Sequence, residues 1–277
     1  MLADTAYGKS GIRLVQVTRA GDRHVLRDLT VAVRFEGEYD ESYVAGDNTA
    51  VLPTDTMKNT VYAHAARRPL EEPESFGLSL AEHFLERNPR LERVTIDLAE
   101  HLWGRIAADG REHGHAFVRE RSDDRTAQVR VDRREAQVRA GIAGLVILKS
   151  AQSAFSNYLH DEFTTLPETR DRILATSMTA TWRYDAGAAY GPAWQAVRRT
   201  LLQAFAAHDS ESVQHTLHAM GRAVLDEVPD VADIHIVMPN RHHLPVDLTR
   251  FGLENKNEVF VATEAPFGLI QATVRRA

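Results

Sequence analysis

The stretch Asn48 to Arg68, NTAVLPTDTMKNTVYAHAARR, breaks an apolar run at Pro53 and then begins a helical pattern with Thr54 and Asp55. The first N–H groups of a helix lack partners within it, and the helix dipole favours negative charge at that end, so this junction can present side chains and amides to a ligand. Thr and Asp are also common capping residues, and the stretch taken alone favours plain capping over chemistry. Three further positions, Lys9, Arg172 and Gln214, carry a charge or an amide in a loop, a strand entry or the first turns of a helix. Each has a plain structural reading as well. Lys9 in YGKSG is a solvated lysine near the terminus, Gln214 is a polar position on a surface helix, and Arg172 in ETRDRIL pairs with Glu168 or Asp171, which adds little to stability.

Metal and nucleotide chemistry leave weaker traces. Thirteen histidines include local pairs at His113 and His115 and at His242 and His243. Such pairs bind metal when a strand or helix holds them, but these have no carboxylate partners at helical spacing, and no metal site is expected. The chain contains no cysteine, so disulfides, thiolate sites and cysteine nucleophiles are excluded. It also lacks GxGxxG after a strand, GxxxxGK[ST], HExxH and CxxC.

The elements that must position these residues follow from periodicity. At 277 residues the chain is long enough for two packed units. Its 43% hydrophobic and 26% charged residues are ordinary for a globular protein. No segment approaches the apolar length of a membrane span, so neither membrane insertion nor a membrane partner is expected. The formal charge of −6, with basic residues spread along the chain, disfavours nucleic acid as a partner. The mixed-charge stretch between Arg111 and Arg139 reads as solvent-facing strand positions and a charged turn.

Alternating apolar residues predict strands over Ile12 to Val17 and over Leu29 to Phe35. Helices follow at Thr54 to Arg67, with Met57, Val61 and Ala65 in phase, and at Phe76 to Asn88, with Phe76, Leu80 and Phe84 in phase. Strand pattern returns at Val94, Ile96 and Leu98 and at His115 to Val118, which completes ββααββ. The order then repeats. Strands at Gln128 to Val131, Leu145 to Leu148 and Ser177 to Tyr184 precede helices at Pro192 to Ala207 and Ser210 to Val228. Strands at Ile234 to Met238, Val259 to Val261 and Leu269 to Val274 close the chain. A duplicated unit accounts for this order, residues 1–124 and 125–277, although the halves share no clear identity. The fold class is α+β, with antiparallel sheets that carry helices on one face. Their bare edges are most simply covered by oligomerisation, with sheets joined edge to edge into a barrel.

Several segments together resemble one family. YGKSGIRLVQV (Tyr7 to Val17), DNTAVLPTDTMKNTVY (Asp47 to Tyr62), LKSAQSAF (Leu148 to Phe155) and DEFTTLPETRDRILAT (Asp161 to Thr176) are similar to urate oxidase, or uricase. SVQ (Ser212 to Gln214), MPNRHH (Met238 to His243) and GLIQATV near the C-terminus continue the match nearly end to end in the family's order. The resemblance implies two tandem tunnelling-fold units per subunit and a homotetramer with active sites at subunit interfaces. It also implies oxidation of urate by O2 to 5-hydroxyisourate with release of hydrogen peroxide, using neither metal nor organic cofactor.

Carried over by position, Lys9 and Thr54 resemble the family's proton-relay pair and His242 its third member. Arg172 and Gln214 resemble the pair that grips urate, and Phe155 the residue that stacks beneath the purine. Val213 resembles a backbone contact, Asp55 the residue whose N–H reaches the substrate, and Asn240 the group facing the oxygen or water position above the ring. Leu166 and Ile270 are candidate pocket-lining residues. Two alternatives stay open: a zinc-dependent pterin or purine enzyme of the same fold, and a catalytically silent purine-binding oligomer. The N-terminus, without the blocks of a secretory signal, and the terminal VRRA in place of a peroxisomal SKL-type address lead to an expected cytoplasmic setting.

Overall fold

The alternation read along the sequence becomes two distinct faces on each strand in the computed structural model, which describes residues 2–119 and 121–276. Met1, Glu120 and Ala277, which belong to the N-terminal, mixed-charge and C-terminal segments discussed above, lie outside the described residues. Two compact units divide the chain, residues 1–141 and 142–277. No helix of the described residues is long and apolar enough to cross a membrane.

The first unit runs β1 (Tyr7–Ala20), β2 (Arg23–Gly37), α1 (Asp40–Val44), α2 (Thr54–Ala66), α3 (Pro73–Arg87), β3 (Leu91–His101), β4 (Gly104–Ala108), β5 (Arg111–Val118) and β6 (Asp124–Asp132). Its sheet has the order β1-β2-β3-β6 with antiparallel neighbours. Leu29, Val31, Val33 and Phe35 of β2 and Val94, Ile96 and Leu98 of β3 are buried. So are Met57, Val61 and Ala65 of α2 and Phe76, Leu80 and Phe84 of α3, the residues the helical phase selects. Each large side chain removed from water in this way contributes about 1.5–3 kcal/mol.

Three readings of this unit change. The fourth strand is β6, not the His115 to Val118 segment. That segment belongs to β5, which among the described residues pairs with β4 alone in a separate two-stranded sheet, whereas Val129 of β6 lies opposite Ile96 of β3. Two alternating runs competed for one place, and alternation identifies a strand without naming its partner. The division between units accordingly falls at 141/142 rather than 124/125. Arg125, assigned to a solvent-facing stretch, is buried beside Glu74, with Nη2 at 2.6 Å from Oε2. Its phase with Ala127, Val129 and Val131 on β6 explains why. Burial pushes the Glu74 carboxyl up, and the Arg125 charge opposes that shift.

β7 (Ala136–Lys149) carries the chain from one unit into the other. The second unit continues with β8 (Leu174–Tyr184), α4 (Tyr190–Ala207), α5 (Val213–Glu227), β9 (Val231–Asn240), β10 (His243–Pro245), β11 (Phe260–Ala262) and β12 (Gly268–Arg275). Its strand order is β7-β8-β9-β12, and β8, β9 and β12 are antiparallel neighbours. Trp194, Val197, Leu201 and Phe205 of α4 and Val213, Leu217, Met220 and Val224 of α5 are buried, as are Ile234, Ile236 and Met238 of β9. The Val259 to Val261 signal is displaced by one residue and pairs only with β10, outside the main sheet.

The two units share one kind of close helix–strand contact. Gly77 and Gly221 lie on the second helix of each pair and press against the last strand of their unit. A Cβ at Gly77 would lie 2.8 Å from Val129 Cγ2 of β6, and one at Gly221 would lie 2.5 Å from Val274 Cγ2 of β12. Gly221→Val is expected to cost about 3 kcal/mol by overpacking, read as a lowered urea midpoint at unchanged slope.

Candidate functional site

In the first unit the site begins on β1. Lys9 lies opposite Val33 of β2, and the register slips between Lys9 and Ile12, where Gly11 takes φ +69°. That left-handed conformation suits glycine, and such bulges re-aim neighbouring side chains. Two residues before Lys9, Tyr7 packs edge-on against Phe35 and Tyr39 at 5.7 and 4.9 Å between centroids. Its hydroxyl accepts the Leu52 N–H at 3.1 Å, and burial raises its pKa, so the phenol stays protonated. Tyr7 thereby ties β1 to the segment entering α2.

Thr54 and Asp55 are the first two residues of α2, but neither caps it. Pro53 occupies the cap position at φ −55° and ψ 138°, and no side chain caps the helix. The Pro53 carbonyl accepts the Met57 N–H at 3.2 Å, which leaves the N–H groups of Thr54, Asp55 and Thr56 without partners inside the helix. The Asp55 carboxylate is taken up by residues further along α2: Oδ1 accepts from Lys58 Nζ at 2.5 Å and Oδ2 from Asn59 Nδ2 at 2.9 Å. The Lys58 bond and charge hold this carboxyl below its usual range, and the Lys9 charge lowers it slightly further. Neither Lys9 Nζ nor Thr54 Oγ1 has a hydrogen-bonding or ionic partner among the described residues.

In the second unit, Phe155, Arg172, Val213 and Gln214 come from three separate segments that the main chain stitches together. The Phe155 N–H donates to the Thr169 carbonyl at 2.7 Å, and the Thr169 N–H returns the bond at 3.0 Å. The Arg172 N–H donates to Ser153 O at 2.9 Å, Ala154 N–H to Ser210 O at 2.6 Å, and Ser210 N–H to Gln152 O at 3.0 Å. Beyond Ser210, Ser212 caps α5 by accepting the His215 N–H at 3.1 Å, which makes Val213 and Gln214 the first two residues of that helix. Val213 is buried, whereas Gln214 is exposed and lines an open groove of about 360 Å³ together with Ile270 of β12.

Arg172 is half-buried, with Cζ 5.1 Å from the centroid of the Phe155 ring. The pairing with Glu168 or Asp171 does not form: Glu168 accepts the Asn157 N–H at 3.0 Å and approaches His160 Nε2 at 3.5 Å instead. Arg172 Nε is buried without a hydrogen-bond partner. Burial lowers the pKa of the guanidinium, which nonetheless stays cationic at neutral pH. A cation held half out of water with no carboxylate is costly unless an acceptor completes it. A planar ring bearing adjacent acceptors would match its fork.

Asn240 ends β9, where it lies opposite Thr176 of β8 on one side and Gly268 of β12 on the other, and it is 8% exposed. Next to it, the Arg241 N–H donates to Ala175 O at 2.9 Å. The His242 carbonyl accepts from the N–H and Oγ1 of Thr263 at 2.9 and 3.2 Å, so its backbone is pinned while its imidazole has no partner among the described residues. His113 and His115 meet edge to face at 4.5 Å, and among the described residues no three His, Asp or Glu side chains gather as metal ligands would. Leu166 is half exposed, and its carbonyl accepts from the Tyr158 hydroxyl.

Lys9, Thr54 and Asp55 thus belong to the first unit, and Phe155, Arg172, Val213, Gln214, Asn240 and His242 to the second. Within each unit the structure brings the expected residues to chain ends, helix starts and pinned loops. Sequence reasoning passed over Tyr7, Lys58 and Asn59. The i, i+3 and i, i+4 spacing of Asp55 with Lys58 and Asn59 was a usable signal, whereas the bond from Leu52 to Tyr7, 45 residues apart, had none.

A family model described as Uricase matches residues 5–130 and 138–271, and its gap falls at the turn between β6 and β7. The chain is 42% identical to uricase from Arthrobacter globiformis over all of its own length and 90% of that protein. It is 37% identical to uricase from Danio rerio over 98% of this chain and 94% of the relative. The crystal structure of the Arthrobacter globiformis uricase superposes with a TM-score of 0.95, covering 100% of this chain and 95% of that one. A uricase structure from Bacillus fastidious, 26% identical, gives 0.87 over 99% and 94%.

Proposed function

Because this chain belongs to the uricase family and oxidises urate, we propose that the reaction is urate + O2 + H2O → 5-hydroxyisourate + H2O2, carried by the chain's own residues without metal or organic cofactor. The observation that carries this reading is the half-buried Arg172 guanidinium, which has no carboxylate partner among the described residues and stands beside the Phe155 ring at 5.1 Å. Urate is a planar anion, and Arg172 with the Gln214 amide offers it two-point recognition while Phe155 supports the ring by stacking. The N–H groups of Asp55 and Val213, at the second position of α2 and the first of α5, are free to donate to ring oxygens or nitrogens.

Removing a further proton from bound urate makes the ring electron-rich enough to give an electron to dioxygen. Thr54 Oγ1 both donates and accepts, and Lys9 takes up or returns the proton behind it. Recombination forms a peroxide on one face of the ring. It leaves as hydrogen peroxide, and water held by Thr54 of one subunit and by Asn240 and His242 of its neighbour adds in its place. The unengaged side chains of Lys9, Thr54 and His242 support this relay. The same reading includes a homotetramer with active sites at subunit interfaces.

The test is to strip the protein of metal, add urate, and follow its ultraviolet absorbance together with peroxide. Loss of urate matched one to one by peroxide is the expected result. Turnover that returns only when a metal is added would overturn the cofactor-free mechanism, and tight urate binding without peroxide would favour a silent purine-binding oligomer.

A further inference from the structure

The Phe155 ring is not solitary. Tyr158 lies stacked on it, with ring centroids 4.7 Å apart and planes inclined by 16°, and His160 stacks on Tyr158 at 4.8 Å and 22°. The turn that folds Tyr158 back over Phe155 is made by Asn157 at φ +56°, a conformation asparagine adopts more readily than most residues. Glu168 locks that turn by accepting the Asn157 N–H at 3.0 Å, and it approaches His160 Nε2 at 3.5 Å. At the far end of the loop, the Tyr158 hydroxyl donates to the Leu166 carbonyl, and the Phe155–Thr169 bridge closes the loop's base. No part of this arrangement belongs to either hydrophobic core; Asn157, Leu159 and His160 are exposed. An aromatic ring has two faces; with Tyr158 parallel to one, the rest of the ring surface is shared by the Arg172 guanidinium, whose Cζ lies 5.1 Å from the centroid, and by the planar anion that guanidinium would grip.

We propose that Tyr158 is a positioning residue for urate: by occupying one face of Phe155 it fixes the plane of that ring and reserves the opposite face for the purine. The proposal rests on the reading that Phe155 stacks beneath urate. Tyr158 touches no substrate itself. Its ring acts through Phe155; its hydroxyl bond to Leu166 ties only the far end of the loop, whose base the Phe155–Thr169 bridge already closes. His160 ends the stack on the solvent side.

Steady-state kinetics with urate on the full-length enzyme separate these roles. Tyr158→Leu is expected to raise KM about three- to tenfold, the range an offset-stacked aromatic pair provides, with a smaller change in kcat. Tyr158→Asn, which suits a loop but has no ring, should give the same rise, whereas Tyr158→Phe should keep the KM of the parent. Thermal midpoints of all three should match the parent, because the loop lies outside both cores. Phe155→Leu serves as the control for the underlying reading. If Phe155→Leu raises KM while both ringless Tyr158 variants leave it unchanged, Tyr158 has no positioning role. An equal rise in Tyr158→Phe would assign the effect to the hydroxyl anchor and overturn the stacking proposal. An unchanged KM in Phe155→Leu would instead remove the stacking role of Phe155.

Discussion

Lys9→Met and Thr54→Ala are each expected to lower kcat by about 10²–10⁴, the usual contribution of a positioned general acid or base, with a much smaller change in KM. The structure makes this a clean test. Lys9 Nζ and Thr54 Oγ1 have no partners among the described residues, so removing either breaks no ion pair or hydrogen bond of the fold. Had Thr54 been a cap, Thr54→Ala would cost about 0.5–2 kcal/mol of stability and leave chemistry untouched. Pro53 holds the cap position, so the variant should unfold at the parental temperature while turning over far more slowly. Loss of stability with retained kcat would return Thr54 to a purely structural role.

Arg172→Ala is expected to act in the opposite way, raising KM for urate about 10²–10³-fold while leaving kcat at saturation within reach of the parent. Two charge-assisted hydrogen bonds from one guanidinium contribute about 3–5 kcal/mol, and their loss appears in binding because the anion is held before it reacts. Arg172→Lys should recover only part of the affinity, since an ammonium keeps the charge but loses the fork. Without substrate, Arg172→Ala should be no less stable than the parent, because the guanidinium is half-buried and its Nε has no acceptor. A marked fall in thermal midpoint with unchanged KM would show that Arg172 serves the fold.

Much of the architecture was legible because burial leaves a period. Met57, Val61 and Ala65, or Trp194, Val197, Leu201 and Phe205, announce their helices and face the core as the phase requires. Pairing was not legible. The β5 run and the β6 run both alternate, and only the register of Ile96 against Val129 decides which joins β3. Arg125 illustrates the same limit from another side: its charge suggested water, yet its position in the β6 alternation sends it inward to Glu74.

The candidate site divides similarly. Side-chain identities such as Lys9, Thr54, Arg172 and Gln214 could be read through the resemblance. The anchors that set them in place could not, because the Leu52 N–H to Tyr7 bond and the amide contacts among 152–155, 169–172 and 210 join distant residues without any local pattern.

The main-chain stitching around Phe155 and Arg172 has a consequence for how this region can diverge. Its donors are the amides of Ala154, Phe155, Thr169, Arg172 and Ser210. Amides are common to nineteen of the twenty residue types, so most codon changes at Ala154 or Thr169 leave the frame's donors intact. Proline is the exception, having no N–H to give. Deep mutational libraries should therefore show a proline-specific depletion at Thr169, against broader depletion at buried Ala154 and at Ser210, whose hydroxyl accepts from Thr216, and a preference for glycine and asparagine at Gln152, which takes φ +57°. That pattern would distinguish a frame built from backbone from one built from side chains.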